Sequence, residues 1–253
     1  MIMSRVSDRL NRLSYSQTFV MSNKARDMKA AGIDVISLTL GEPDFDVPDN
    51  IKKAAFDAIN ENYSHYSPVP GFLELRKAIV NKLKRDNNLD YKPTQICVAN
   101  GAKQNIFNVL AALVNEGDEV ILPAPYWVSY DEMVKINGGV SVFIETNIDT
   151  EFKMTAEQLE AAITPKTKAV LYSSPCNPSG SYYTREELEK IANVMAKYPY
   201  VTIISDEIYE FINYDGEHVS IAEFPQVFNQ TAVINGMSKA FAMTGWRIGY
   251  SAC

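Results

Sequence analysis

The sequence predicts an α/β fold with a largely parallel sheet. Short apolar runs recur along the chain, and amphipathic helical stretches separate them. The chain is 253 residues long and 46% hydrophobic, enough to bury one sizeable core or one large domain with part of a second.

The elements follow in order. Asp49 can cap a helix in which Ile51, Ala54, Ala55, Ala58 and Ile59 share one face. Phe72, Leu75, Ile79 and Leu83 repeat the helical spacing. Residues 96–99 read as a strand, followed by a turn at Asn100-Gly101. A helix is expected from Ala102 to Val114, stopping near Gly117. Residues 119–123 and 140–144 are further strands. Thr155 with Gln158 forms a capping box before the helix that carries Leu159, Ala162 and Ile163. Residues 169–172 form a strand, and Thr184 with Glu187 makes a second capping box before Leu188, Ile191 and Met195. Strands at 201–204, 232–234 and 247–250 complete the set. Residues 1–48 are less regular and carry Pro43 and Pro48, so they are expected to form an arm and a loop. The final strand ends three residues before the last one, which suggests a truncated chain whose second domain lies outside it.

Bulk properties exclude several functions. A net charge of −7 argues against a general nucleic-acid binder. The longest apolar runs are too short for a membrane span, and the N-terminus has no apolar signal core, so the cytoplasm is the default compartment. Cys97, Cys176 and Cys253 are too few and too scattered for a disulfide framework or a zinc site.

Ligands of α/β sheets bind beyond the carboxyl ends of the strands, so the residues there carry the chemistry. Asn100-Gly101-Ala102-Lys103 opens a helix, where backbone N–H groups and the helix dipole can meet a phosphate. Ser205, Asp206 and Glu207 follow four apolar residues, so a part-buried carboxylate there needs a partner, and a protonated ring nitrogen would serve. Asn177 is held between Pro175 and Pro178 in a rigid turn. Ser238 and Lys239 follow the strand at 232–234, and Arg247 lies eight residues beyond the lysine. Lysine forms Schiff bases once its pKa is lowered, and arginine suits a phosphate dianion. Singly, these features also read as a turn, a helix cap, an Asx turn and a surface lysine. Together they supply a phosphate clamp, a ring-nitrogen partner, a donor to a phenolate oxygen and a Schiff-base lysine, the four requirements of a phosphorylated pyridine aldehyde.

Six segments then occur in order: Gly41-Glu-Pro-Asp-Phe-Asp, Tyr66-Ser-Pro-Val-Pro-Gly71, Pro125-Tyr-Trp-Val-Ser-Tyr130, Asn177-Pro-Ser-Gly180, Ser205-Asp-Glu-Ile-Tyr209 and Ser238-Lys-Ala-Phe-Ala-Met-Thr-Gly-Trp-Arg-Ile-Gly249. Across nearly the whole chain they resemble class I aminotransferases among the fold type I enzymes dependent on pyridoxal 5'-phosphate (PLP), and within that class the bacterial aspartate aminotransferases. The resemblance implies a PLP-transferase fold type I large domain over 49–253, incomplete at its C-terminal end, with mostly parallel sheet and flanking helices. Residues 1–48 become an N-terminal arm and the start of a small domain. That small domain, with the arginine that binds the substrate α-carboxylate, would lie mostly beyond this chain.

By the same resemblance, Lys239 forms the Schiff base with PLP and, once displaced, moves the proton between the substrate Cα and the cofactor. Asp206 keeps the ring nitrogen protonated, and an ionised aspartate beside that cation would have a lowered pKa. Asn177 and Tyr209 hydrogen-bond the phenolate oxygen, and Trp127 stacks on the ring. Gly101, Ala102, Lys103, Ser238 and Arg247 surround the phosphate. Tyr66 reaches the neighbouring subunit's phosphate, which implies a homodimer with shared sites. Gly41, Trp127 and Asn177 meet the substrate, and Thr18 and Lys103 read its acidic side chain. The implied reaction is ping-pong transamination of L-aspartate with 2-oxoglutarate to oxaloacetate and L-glutamate. Two departures stand out: Gly236 replaces a phosphate-binding serine of some relatives, and Cys176 replaces an asparagine before Asn177.

Several readings compete. An aminotransferase for prephenate or aromatic amino acids, or a PLP-dependent C–S lyase, would share the ring-binding residues. A non-catalytic, aminotransferase-like regulator domain would follow a DNA-binding domain, yet the motifs begin by residue 41. A dinucleotide-binding protein would need a G-x-G-x-x-G turn after its first strand, and none is present.

Overall fold

The computed structural model describes residues 6–253 other than Ser16 and Asp215. Seven α-helices and seven strands are found among them, besides short 3-10 turns: α1 (Gln17–Ala30), α2 (Asp49–Asn60), α3 (Leu73–Asn87), β1 (Ile96–Asn100), α4 (Ala102–Leu113), β2 (Glu119–Ala124), α5 (Ser129–Ile136), β3 (Val140–Glu145), α6 (Ala156–Ala162), β4 (Thr167–Ser173), α7 (Arg185–Met195), β5 (Thr202–Asp206), β6 (Thr231–Gly236) and β7 (Ile248–Ala252). All the strands join one sheet in the order β1-β7-β6-β5-β4-β2-β3. β7 runs antiparallel to both of its neighbours, and the other pairings are parallel. No helix among the described residues is long and apolar enough to cross a membrane.

Burial follows the strand period. Val120 and Leu122 of β2, Ala169 and Leu171 of β4 and Ile204 of β5 pack in one cluster with Ile106 and Leu110 of α4. The intervening Ile121, Val170 and Ile203 pack in another with Leu159 of α6 and Leu188 and Ile191 of α7. Successive side chains leave a strand on opposite faces, so an all-apolar strand fills two cores at once. Each buried leucine or isoleucine is worth about 1.5–3 kcal/mol relative to exposure. Under α3, Ile79 and Leu83 pack with Val233 of β6 and Tyr250 of β7.

The local signals hold where capping chemistry sets them. Thr155 accepts from the Gln158 N–H, and Thr184 from the Glu187 N–H, each closing a reciprocal box. Three expectations change. Asp49 is not a cap: it is the first residue of α2, where it pairs with Lys52 at 3.2 Å and faces the positive end of the helix dipole. Arg247 lies outside its strand, with φ at 56°, and turns the chain into β7. The segment before residue 48 contains a full helix, α1, although its apolar residues Phe19, Val20, Met21 and Met28 are spread around the axis. No described residue of 6–48 is buried.

The register determines where the site forms. Asn100 pairs with Ile248, Gly236 with Gly249, Asp206 with Ile234, and Ser173 with Asp206. The carboxyl ends of β1, β4, β5 and β6 therefore meet along one edge, where β7 begins.

Candidate active site

At that edge Asp206 ends β5 and is 3% exposed. The Tyr130 hydroxyl donates to its Oδ2 at 2.6 Å, and the Ile208 N–H reaches Oδ1 at 3.3 Å. Both of these donors are neutral groups, and its pKa rises to about 6. Burial is the main cause; the two hydrogen bonds oppose it and nearby Glu207 adds to it. A protonated ring nitrogen would reverse that shift, so the residue is suited to such a partner. Sequence reading left Tyr130 without a role. It sits one helical turn past Trp127, and the two rings meet edge to face at 5.6 Å.

Asn177 and Tyr209 come from loops after β4 and β5 and meet each other, with Asn177 Nδ2 donating to the Tyr209 hydroxyl at 3.4 Å. The Asn177 N–H also approaches Ser173 Oγ at 3.4 Å. Two hydrogen-bonding side chains thus converge beside Asp206. Burial, followed by the Asp206 charge, raises the Tyr209 pKa and keeps its proton on.

Lys239 is half-buried, with its Nζ 5.7 Å from the centre of the Tyr209 ring. The same nitrogen donates to the Gly41 carbonyl at 2.5 Å, which draws the segment containing Gly41 onto the site. Burial lowers the Lys239 pKa, Arg247 lowers it further, and Glu42 opposes both. Such a lysine holds its proton less tightly than a surface lysine, as an amine nucleophile requires.

A cationic wall completes the site. Gly101 has φ at 85° and caps α4. A Cβ on it would displace the Arg247 guanidinium from its present position, and the left-handed backbone there favours glycine in any case. Arg247 donates to the Thr244 carbonyl at 2.7 Å and to the Asn100 carbonyl at 3.3 Å. The first N–H groups of α4, from Ala102 and Lys103, have no intrahelical acceptor and suit an anion. Burial and then Arg247 lower the Lys103 pKa, and its Nζ lies 5.1 Å above the Trp127 ring. Ser238 is half-buried beside Lys239. A Cβ at Gly236 would lie 2.8 Å from the Ile248 carbonyl, so its lack of a side chain allows β6 and β7 to approach closely. Two expected residues stand apart from this convergence: Tyr66 is fully exposed, and Thr18 is half-buried in the first turn of α1.

A parallel-rich α/β sheet with a buried carboxylate, a lysine of lowered pKa and a cationic helix start at its carboxyl edge forms a site suited to an anionic ligand. The profile of the family "Aminotransferase class I and II" matches residues 33–253, and the chain belongs to that family. It is 51% identical over 252 residues to the "Probable aspartate/prephenate aminotransferase" of Rhizobium leguminosarum bv. phaseoli, covering 99% of this chain and 63% of that protein. It is 53% identical over 249 residues to the "Aspartate aminotransferase" of Bacillus sp. (strain YM-2), covering 98% and 63%. Among solved structures, the aspartate aminotransferase of Thermus thermophilus with maleate matches with a TM-score of 0.95 and 42% identity, over 99% of this chain and 65% of that one. The chain therefore spans about 63% of the length of these curated relatives.

Proposed function

We propose that the full-length protein is a PLP-dependent aminotransferase acting on L-aspartate and 2-oxoglutarate, giving oxaloacetate and L-glutamate in two half-reactions. The observation that carries this reading is the setting of Lys239: half-buried, lowered in pKa, and beside the paired Asn177 and Tyr209. Bound PLP would supply an aldehyde that condenses with amines and a ring that accepts the electron pair released at the substrate Cα.

The chain's own residues take the remaining roles. Asp206 would face the ring nitrogen and hold its proton, the cation that burial leaves this carboxylate needing. Asn177 and Tyr209 would donate to the ring oxygen, and Trp127 would cover the ring face. Gly101, Ala102, Lys103, Ser238 and Arg247 would hold the phosphate. The Lys239 amine would link to the cofactor and then move a proton at the substrate Cα.

Lys103 and Thr18 are our choice for reading an acidic side chain, with Gly41 against the substrate. Maleate in the Thermus structure is a dicarboxylate, which supports an acidic substrate here. The name of the Rhizobium relative supports prephenate as a second acceptor. The same reading makes the protein a cytoplasmic homodimer whose Tyr66 reaches the partner's phosphate, with residues 1–48 as arm and start of the small domain and 49–253 as most of the large one.

The test is a visible spectrum of the full-length protein with PLP, beside Lys239→Ala. A yellow band that bleaches with L-aspartate and returns with 2-oxoglutarate is expected, and the variant should lack it. Release of a thiol, pyruvate and ammonia from an added cysteine S-conjugate, without the aspartate response, would instead indicate a C–S lyase. No band in the wild type, or an unchanged band in the variant, would reject the role of Lys239.

A further inference from the structure

Behind the site lies a buried polar network that the reaction itself does not use. Glu207 follows Asp206 directly, and the two carboxylates leave the chain on opposite sides, as successive residues at a strand end do. Glu207 is 1% exposed and Glu210 is 7% exposed. All four of their carboxylate oxygens have partners: Glu207 Oε1 accepts from Ser205 at 2.9 Å and Ser220 at 2.7 Å, Glu207 Oε2 meets His218 Nε2 at 3.1 Å, Glu210 Oε1 pairs with Lys82, and Glu210 Oε2 accepts from Asn87 at 3.0 Å. Lys82 in turn donates to Asn87 at 2.7 Å.

Burying two carboxylates costs several kcal/mol each unless they are paired, so the fold meets a cost here that apolar side chains would avoid. The location of the network shows what it secures. The turn at 206–212 carries Asp206 and Tyr209 towards the ring site. Its Glu207 N–H bonds to β6 at the Ile234 carbonyl, at 2.8 Å. Its acidic side chains are moored to α3 through Lys82 and Asn87, to β5 through Ser205, and to the following loop through His218 and Ser220. By itself the Asp206 side chain has two hydrogen bonds to hold it. We propose that Glu207, with His218 and Ser220, is a positioning residue for transamination: it holds this turn from behind so that Asp206 and Tyr209 face the ring. The proposal rests on the aminotransferase reading above.

Electrostatics agrees with the geometry. Burial alone would lower the His218 pKa, but Glu207 and Glu210 outweigh burial and the opposing Lys82, and the net shift is upward. A protonated His218 offsets the Glu207 charge, which otherwise raises the Asp206 pKa. Tyr91, Tyr172 and Tyr250 also face Glu207, and all three keep their protons more tightly, chiefly through burial.

The experiment uses the full-length protein with PLP, comparing wild type with Glu207→Ala, Glu207→Gln and Ser220→Ala. The readouts are kcat and KM for aspartate, and the pH at which the visible band changes. Glu207→Ala should bind PLP and keep KM, but lose about tenfold in kcat, short of the ~100-fold that a 1 Å misplacement can cost. Its band should change at a shifted pH, and Glu207→Gln, which still accepts from Ser205 and Ser220, should recover most of kcat. Ser220→Ala, a gentler change if Glu207→Ala does not fold, should lose about fivefold in kcat, the equivalent of one ordinary hydrogen bond. Wild-type kcat and wild-type spectral pH in these variants, with only a lower melting temperature, would make the network purely structural and overturn the proposal. A wild type without any band would instead overturn the aminotransferase reading, and this proposal with it.

Discussion

Asp206 shows how one residue trades stability for function. Its folded pKa is raised to about 6, against an ordinary value of 3.8. Below pH ~3 the carboxyl is protonated in both folded and unfolded chains, and the shift costs nothing. As the pH rises from 3.8 through about 6, the unfolded chain ionises this carboxyl more readily than the cofactor-free fold does, so stability falls across that range and the loss is complete above it. Asp206→Asn removes that burden while leaving an oxygen for the Tyr130 hydroxyl. The cofactor-free full-length variant should therefore be more stable than wild type at pH 8, by about 3 kcal/mol, and equal to it at pH ~3. It should also lose transamination, because an amide cannot hold the ring nitrogen's proton as an anion does. Equal melting at pH 8 would show that Asp206 is not strained by burial. The placement of Asp206, Asn177 and Lys239 at strand ends was legible in the sequence because each follows an apolar run or lies in a rigid turn, and Arg247 was reached through its spacing from Lys239. Tyr130 and His218 were not: Tyr130 reaches Asp206 across 76 positions, and no local pattern records such a contact.

Among the elements, α4 and β7 build the cationic wall together. A Cβ on Gly249 would lie 2.3 Å from the Ala102 backbone nitrogen and 2.4 Å from the Gly101 carbonyl carbon. Neither backbone atom can swing aside. Gly249→Ala should therefore push the start of α4 off the sheet, destabilise the fold by about 1–3 kcal/mol and weaken PLP binding. Chemical denaturation and PLP titration would check this, and wild-type values in both would show that the contact relaxes freely. The boundaries of α6 and α7 were legible because Thr155 and Thr184 carry their caps within four residues. α1 was not, since its apolar residues form no single stripe.

Across the whole molecule, apolar exposure is uneven. The core lies between residues 79 and 252, whereas Leu38, Tyr66 and Val69 are more than 90% exposed, and no residue of α2 is buried despite its apolar face. Large apolar surfaces of this kind mark interaction sites. The full-length protein should sediment as a dimer at micromolar concentration, and Tyr66→Phe should keep the dimer while weakening PLP binding about fivefold, as one lost hydrogen bond would. A monomer with wild-type PLP affinity would reject both the shared site and the dimer. By itself the sequence determined the class of fold, the strands and most helices, and the residue types at the strand ends, because periodicity, caps and turns act over a few neighbours. Only the tertiary structure decided the strand order, the antiparallel insertion of β7 between β1 and β6, the fit of Gly101 against Arg247 and of Gly249 against the start of α4, and the network behind Asp206. Those depend on which distant backbones lie side by side, and such pairings are selected by packing over the whole chain rather than by any local run of residues.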